Sequence, residues 1–114
     1  MTDNRITIKP ATGTWVVRAG GAVIAESSSA LELHEGDYPV TIYFPRTDVA
    51  MAFLDTSDQT STCPYKGEAR YFGIAAKSGV IENAVWTYEQ PLESVKEITG
   101  YLSFYTDKTT VEHF

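Results

Sequence analysis

The chain has 114 residues, nine basic against fifteen acidic, giving a net charge of −6 and a pI near 4.7. With 43% hydrophobic and 21% charged residues it reads as one soluble domain over residues 1–114, large enough for a real core and too short for two. The acid excess argues against non-specific nucleic-acid binding, the lone Cys63 excludes an internal disulfide or a Cys-rich zinc cage, and no apolar run approaches the roughly 18 residues of a membrane span.

Residues 5–9 alternate with period two and end at Pro10, the pattern of a short strand. Residues 15–19 and 22–26 flank Gly20-Gly21, a pair that supplies the positive φ of a two-residue hairpin turn. A glycine pair can also cradle phosphate, but neither a helix start nor a Lys-Ser/Thr follows. Ser27-Ser28-Ser29 then breaks the run. In residues 30–34, Leu31 and Leu33 share one strand face, with Glu32 and His34 on the other. Glu35-Gly36-Asp37 reads as a turn, and residues 40–44 as a strand between Pro39 and Pro45.

A helical signal follows. Thr47 or Asp48 can cap a helix on which Val49, Ala52 and Phe53 share a face, stopping near Leu54. Residues 57–68 carry almost no aliphatic side chain and are expected to form an irregular loop, a frequent place for function. Strand pattern returns at 69–75 and 80–88, across a turn at Lys77-Ser78-Gly79. Pro91 opens a second short helix carrying Leu92, Val95 and Ile98, with Gly100 as its stop. Residues 102–105 and 109–111 close the chain as strands. The expectation is a mainly β fold of about eight antiparallel strands and two short helices, because the connections are too short for parallel crossovers.

Three segments can carry chemistry. In Thr60-Ser61-Thr62-Cys63-Pro64-Tyr65-Lys66-Gly67, a turn set by Pro64 and Gly67 brings Cys63 near Lys66, whose ammonium favours thiolate. Cys63 is then a reactive or ligand-contacting thiol, or else a small buried hydrophobe. Arg46 and Asp48 sit at a strand-to-helix junction suited to an anionic ligand; otherwise Asp48 caps the helix and Arg46 is a surface charge. Ala84, Trp86 and Tyr88 share a strand face that is either core or pocket wall, and Tyr71 and Tyr105 can join it. His34 and His113 are scattered, and no metal-ligand spacing stands out, so neither metal nor cofactor is expected.

The segments Tyr43-Phe44-Pro45-Arg46-Thr47-Asp48-Val49, Thr62-Cys63-Pro64-Tyr65-Lys66-Gly67 and Asn83-Ala84-Val85-Trp86-Thr87-Tyr88, with Tyr38-Pro39, Tyr71 and Phe104-Tyr105, closely resemble the DUF427 family. The likeness extends over nearly the whole chain, including Gly20-Gly21 and Ala25-Glu26-Ser27. It implies coiled antiparallel sheets of the Mss4-like (β-tent) group. Several members of that group hold a structural zinc through two Cys pairs, and this chain, with Cys63 alone, departs from that pattern. The family has also been labelled a nucleotidyltransferase. That chemistry uses a Gly-Ser near a helix start and an Asp-x-Asp pair on Mg²⁺; the nearest imitation here is Glu35-Gly36-Asp37, so the residues do not support the label.

The reading is a cytoplasmic domain that binds a small polar or anionic metabolite. Its pocket is lined by the Thr-Cys-Pro-Tyr-Lys-Gly loop and by Tyr43, Arg46, Tyr71, Trp86, Tyr88 and Tyr105. If it is an enzyme, Cys63 is the nucleophile, Lys66 its electrostatic activator, and Asp48 or a tyrosine the acid/base group. The alternative is a structural or protein-interaction module in which the same residues only pack. No nucleic-acid or membrane partner is expected.

Overall fold

The fold, described by a computed structural model for residues 5–114, is built from three antiparallel sheets. One joins β1 (Ile6–Pro10), β4 (Leu31–Glu35) and β5 (Thr41–Tyr43) in the order β1-β4-β5. A second joins β2 (Trp15–Ala19), β3 (Ala22–Ser27) and β10 (Thr110–His113) in the order β10-β2-β3. The third runs β6-β7-β8-β9, from β6 (Leu54–Cys63) through β7 (Gly67–Ala76) and β8 (Gly79–Thr87) to β9 (Leu102–Phe104). Gly20 and Gly21, at φ 56° and 81°, make the expected tight turn between β2 and β3.

The sheets are stitched together at two places. Phe44 and Leu102 exchange backbone hydrogen bonds of 2.7 and 2.9 Å, joining the end of β5 to β9. The Ala50 amide donates to the Ile24 carbonyl at 2.8 Å, beside a bridge between Ala25 and Val49 that ties in the second sheet.

Alternation along one short stretch then feeds two cores. Phe44 enters the first, with Val17, Ile24, Ile74, Val85 and Leu102, and meets Phe104 edge to face at 5.6 Å. Its neighbour Tyr43 points the other way, into a second core with Leu33, Tyr88, Val95 and Ile98.

Three expectations need correction. Residues 57–68 are not an irregular loop: most of them belong to β6 and the start of β7, which pair from Leu54–Ile74 to Cys63–Gly67 with a shift between Thr56 and Thr60. β6 is an edge strand exposed along most of its length, so Thr, Ser, Asp and Gln replace the aliphatic alternation that marks a half-buried strand. The helix expected from Thr47 is instead two short 3₁₀ turns, Arg46–Asp48 and Met51–Phe53, separated by an extended Val49. Asp48 does not cap it, because its carboxylate accepts the Ser27 hydroxyl at 2.6 Å. The second expected helix is also 3₁₀, over Glu93–Ile98, and is broken by Val95 at φ −127°. Val95 and Ile98 are buried as their spacing predicts, but Leu92 remains exposed. Among the described residues, no helix is long and apolar enough to cross a membrane.

Candidate functional site

The turn after β6 is held from both sides. The Lys66 amide donates to the Cys63 carbonyl at 3.3 Å, and the Leu92 amide donates to the Lys66 carbonyl at 2.9 Å. Gly67 has φ 114°, while a Cβ there would meet the backbone of residues 90–92 only at ordinary contact distance, 3.4–3.5 Å. Backbone conformation and not crowding is therefore what favours glycine at position 67.

Lys66 folds inward from this turn. Its ammonium donates to Glu35 Oε1 at 2.7 Å, with the two side chains only 13% and 14% exposed. Burial alone pulls the ammonium pKa down, but the Glu35 hydrogen bond and the charges of Cys63 and Glu35 outweigh it and hold the lysine above its ordinary value. The cation is thus held chiefly by the carboxylate it touches. Glu35 was not foreseen as a partner. The available signal was alternation, since Leu31, Leu33 and Glu35 fall on one face of β4 and a carboxylate on an apolar face needs a cation.

The aromatic residues form a chain behind the turn. The Trp86 indole N–H donates to the Tyr43 hydroxyl at 3.3 Å, with the rings edge to face at 6.3 Å. Trp86 lies 4.6 Å from Tyr105, which stacks on Tyr71 at 6.4 Å. The Tyr71 hydroxyl in turn meets Ser61 Oγ at 2.8 Å. Burial holds the Tyr43 phenol above its ordinary value against a smaller opposing pull from the Trp86 hydrogen bond. Burial, and then the charge of Cys63, does the same at Tyr88. Tyr105 is pushed up to about 12 by burial and by its hydrogen bond with Tyr71. At neutral pH these phenols are therefore protonated hydrogen-bonding groups and not bases.

Beyond the Phe44–Leu102 pair, β5 and β9 are no longer joined by a backbone ladder. The next carbonyl, that of Ile42, takes the Ser103 hydroxyl at 2.7 Å instead. A cleft of about 1070 Å³ opens here, with residues 40–42 on one side and 103–106 on the other. Cys63, Pro64 and Tyr65 form part of its wall, together with Trp86. Glu32, His34 and Glu35 line it from β4, where His34 Nε2 lies 2.7 Å from Glu32 Oε1. Trp15 and His113 line it as a parallel stack, with ring centres 4.0 Å apart.

The expected site residues therefore divide. Cys63, Trp86 and Tyr105 line the cleft; Tyr43, Tyr71 and Lys66 stand behind it, each touching a lining residue. Tyr88 is only 5% exposed and belongs to the second core. Arg46 lies elsewhere, bonded to the Gly100 carbonyl at 3.2 Å and to Glu89 at 3.3 Å. Asp48 is engaged by Ser27, also outside the cleft lining. Trp15 and His113 could not be read from the sequence as cleft residues, because the pairing of β10 with β2 brings them together; Tyr38 is a further lining residue. The acidic pair closest to a magnesium motif contributes Glu35 to the lysine ion pair. Among the described residues, no three His, Cys, Asp or Glu side chains gather into a group able to hold a metal.

A family model described as a domain of unknown function, DUF427, matches residues 7–113. The chain belongs to the DUF427 family. The match begins within β1 and ends within β10, so it takes in every segment of the cleft. No curated protein matches this DUF427 chain.

Proposed function

We propose that this DUF427 domain binds a small polar metabolite in the cleft between β5 and β9. The observation that supports this reading is the cleft itself: about 1070 Å³, walled by aromatic rings, with polar residues of β4 and of the turn after β6 in its lining. A ligand seated there rests against Trp86 and Tyr105 and reaches the Cys63 thiol. Cys63 is then the group placed to act as nucleophile, on the same turn as the Lys66 ammonium that bonds Glu35. Asp48 and Arg46 take no part in this arrangement.

The test screens the full chain against a metabolite library by thermal shift, since a ligand that binds only the folded state raises its stability. A hit that also slows alkylation of Cys63 and changes Trp86 fluorescence supports the reading. A hit that leaves both untouched, or a library without any hit, favours the rival: a protein-interaction module. The observation behind that rival is the rim, where Tyr38 and Tyr65 are 69% and 41% exposed.

A further inference from the structure

We infer that the cleft selects an organic cation, an amine or quaternary ammonium group carried on a compact apolar or aromatic body. The inference rests on the proposed ligand-binding cleft and adds the charge class of its ligand.

Among the described residues, the lining carries two carboxylates, Glu32 and Glu35, and no lysine or arginine. Nearby cations sit behind or outside them. Lys66 bonds Glu35 from the protein side, and Lys9 approaches Glu32 at 3.8 Å while remaining mostly exposed. The hydrogen bonds and ion pairs described for the two carboxylates fall on Oε1 of each. A carboxylate offers about four acceptor positions, so each has capacity left for a ligand N–H.

The remaining walls point to the same class. Trp15, Trp86 and Tyr105 line the cleft, as do the more exposed Tyr38 and Tyr65. The faces of such rings carry negative charge density and attract cations, most strongly where water is excluded. Tyr105, whose phenol is pushed up to about 12, supplies a ring face without adding negative charge. Among the described residues of the lining, an anion would meet two carboxylates and electron-rich rings, with His34 already turned to Glu32 and neither lysine nor arginine present. The net charge of −6 extends the same preference beyond the cleft. The expectation of an anionic ligand depended on the junction that carries Arg46 and Asp48, and neither residue is in the lining.

The experiment uses three probes with the same ring: benzyltrimethylammonium, benzyl alcohol and benzoate. Each is titrated into the isotopically labelled full chain at low salt and followed by NMR, with the indole N–H signals of Trp15 and Trp86 reporting the cleft. The expected order is cation, then alcohol, then benzoate, with roughly ten-fold between the first and the last. Raising the salt should weaken the cation and leave the alcohol unchanged. Glu32→Gln should narrow the gap between cation and benzoate. Glu35→Gln is avoided because it strands Lys66, and the salt series covers the case in which Glu32→Gln folds poorly. If benzoate binds as well as the cation, or better, the charge assignment is overturned while the cleft reading stands. If none of the three moves the indole signals, the cleft reading fails and takes this inference with it.

Discussion

The Lys66 ammonium donates to Glu35 Oε1 at 2.7 Å and so ties the turn after β6 to the end of β4. Removing one partner of a largely buried pair leaves the other charged and without compensation, a larger effect than the pair's net contribution. Lys66→Met is therefore expected to cost about 2–4 kcal/mol. Adding Glu35→Gln to it should restore part of that loss. Urea midpoints of the two single variants and the double variant measure the coupling; additive effects would show that the pair does not act as a unit.

The same lysine and three tyrosines set the response to alkali. Lys66, Tyr43, Tyr88 and Tyr105 all hold their protons more tightly folded than their ordinary values allow. The unfolded chain releases these protons from about pH 10 upward, while the folded chain still binds them. Their stabilising contribution is thus complete below that pH and is lost as pH rises through the folded values. Denaturation midpoints should change little from these groups between about pH 7 and 9 and fall above about pH 10. Tyrosinate absorbance should rise together with unfolding; a chain equally stable on both sides of pH 10 would contradict the assignment.

Trp86 and Tyr88 lie two apart on the chain yet separate cleanly by role. Trp86 is half-buried and lines the cleft, whereas Tyr88 sits in the second core. Trp86→Ala is expected to cost about 2–3 kcal/mol, below the usual range for a fully buried tryptophan, and to abolish ligand response. Tyr88→Phe should change binding little, because its hydroxyl is not part of the cleft wall. Calorimetric titration of any cleft ligand into both variants distinguishes them, and a large loss of affinity in Tyr88→Phe would place that residue in the site after all.

Thr87, between them, is fully buried, and its hydroxyl oxygen has no hydrogen-bond partner among the described residues. A buried polar group left in this state is a standing cost of about 1–3 kcal/mol. Thr87→Val keeps the shape and removes the oxygen. It should be neutral or stabilising by about 1 kcal/mol, read as a raised thermal midpoint. A clear destabilisation would mean that the hydroxyl has a partner, such as buried water.

Much of the fold was legible wherever a strand has one wet and one dry face. Leu31 and Leu33 identify β4, and Gly20-Gly21 places the first hairpin, because these signals are local. β6 was hidden because both of its faces meet water, so pairing with β7 and not side-chain alternation defines it. Asp48 misled because a carboxylate before an apolar spacing looks like a cap, while the Ser27 hydroxyl that claims it lies 21 residues away. The site divides along the same line. The loop of Cys63 and the ring of Trp86 were visible as chemistry, but only tertiary pairing places Glu35 on Lys66 and opens the cleft where β5 leaves β9.

The three residues of β5 and the Phe44 that follows them have a consequence for how the domain comes apart. Tyr43 is anchored in one core and Phe44 in the other, so a slip of one position would push a hydroxyl into the apolar cluster and withdraw a phenyl ring from it. Neither half can loosen without disturbing its neighbour through this shared ribbon. The molecule should consequently melt as a single cooperative block despite its three sheets. The amides of Phe44 and Leu102, at the seam, should be among the slowest to exchange with heavy water.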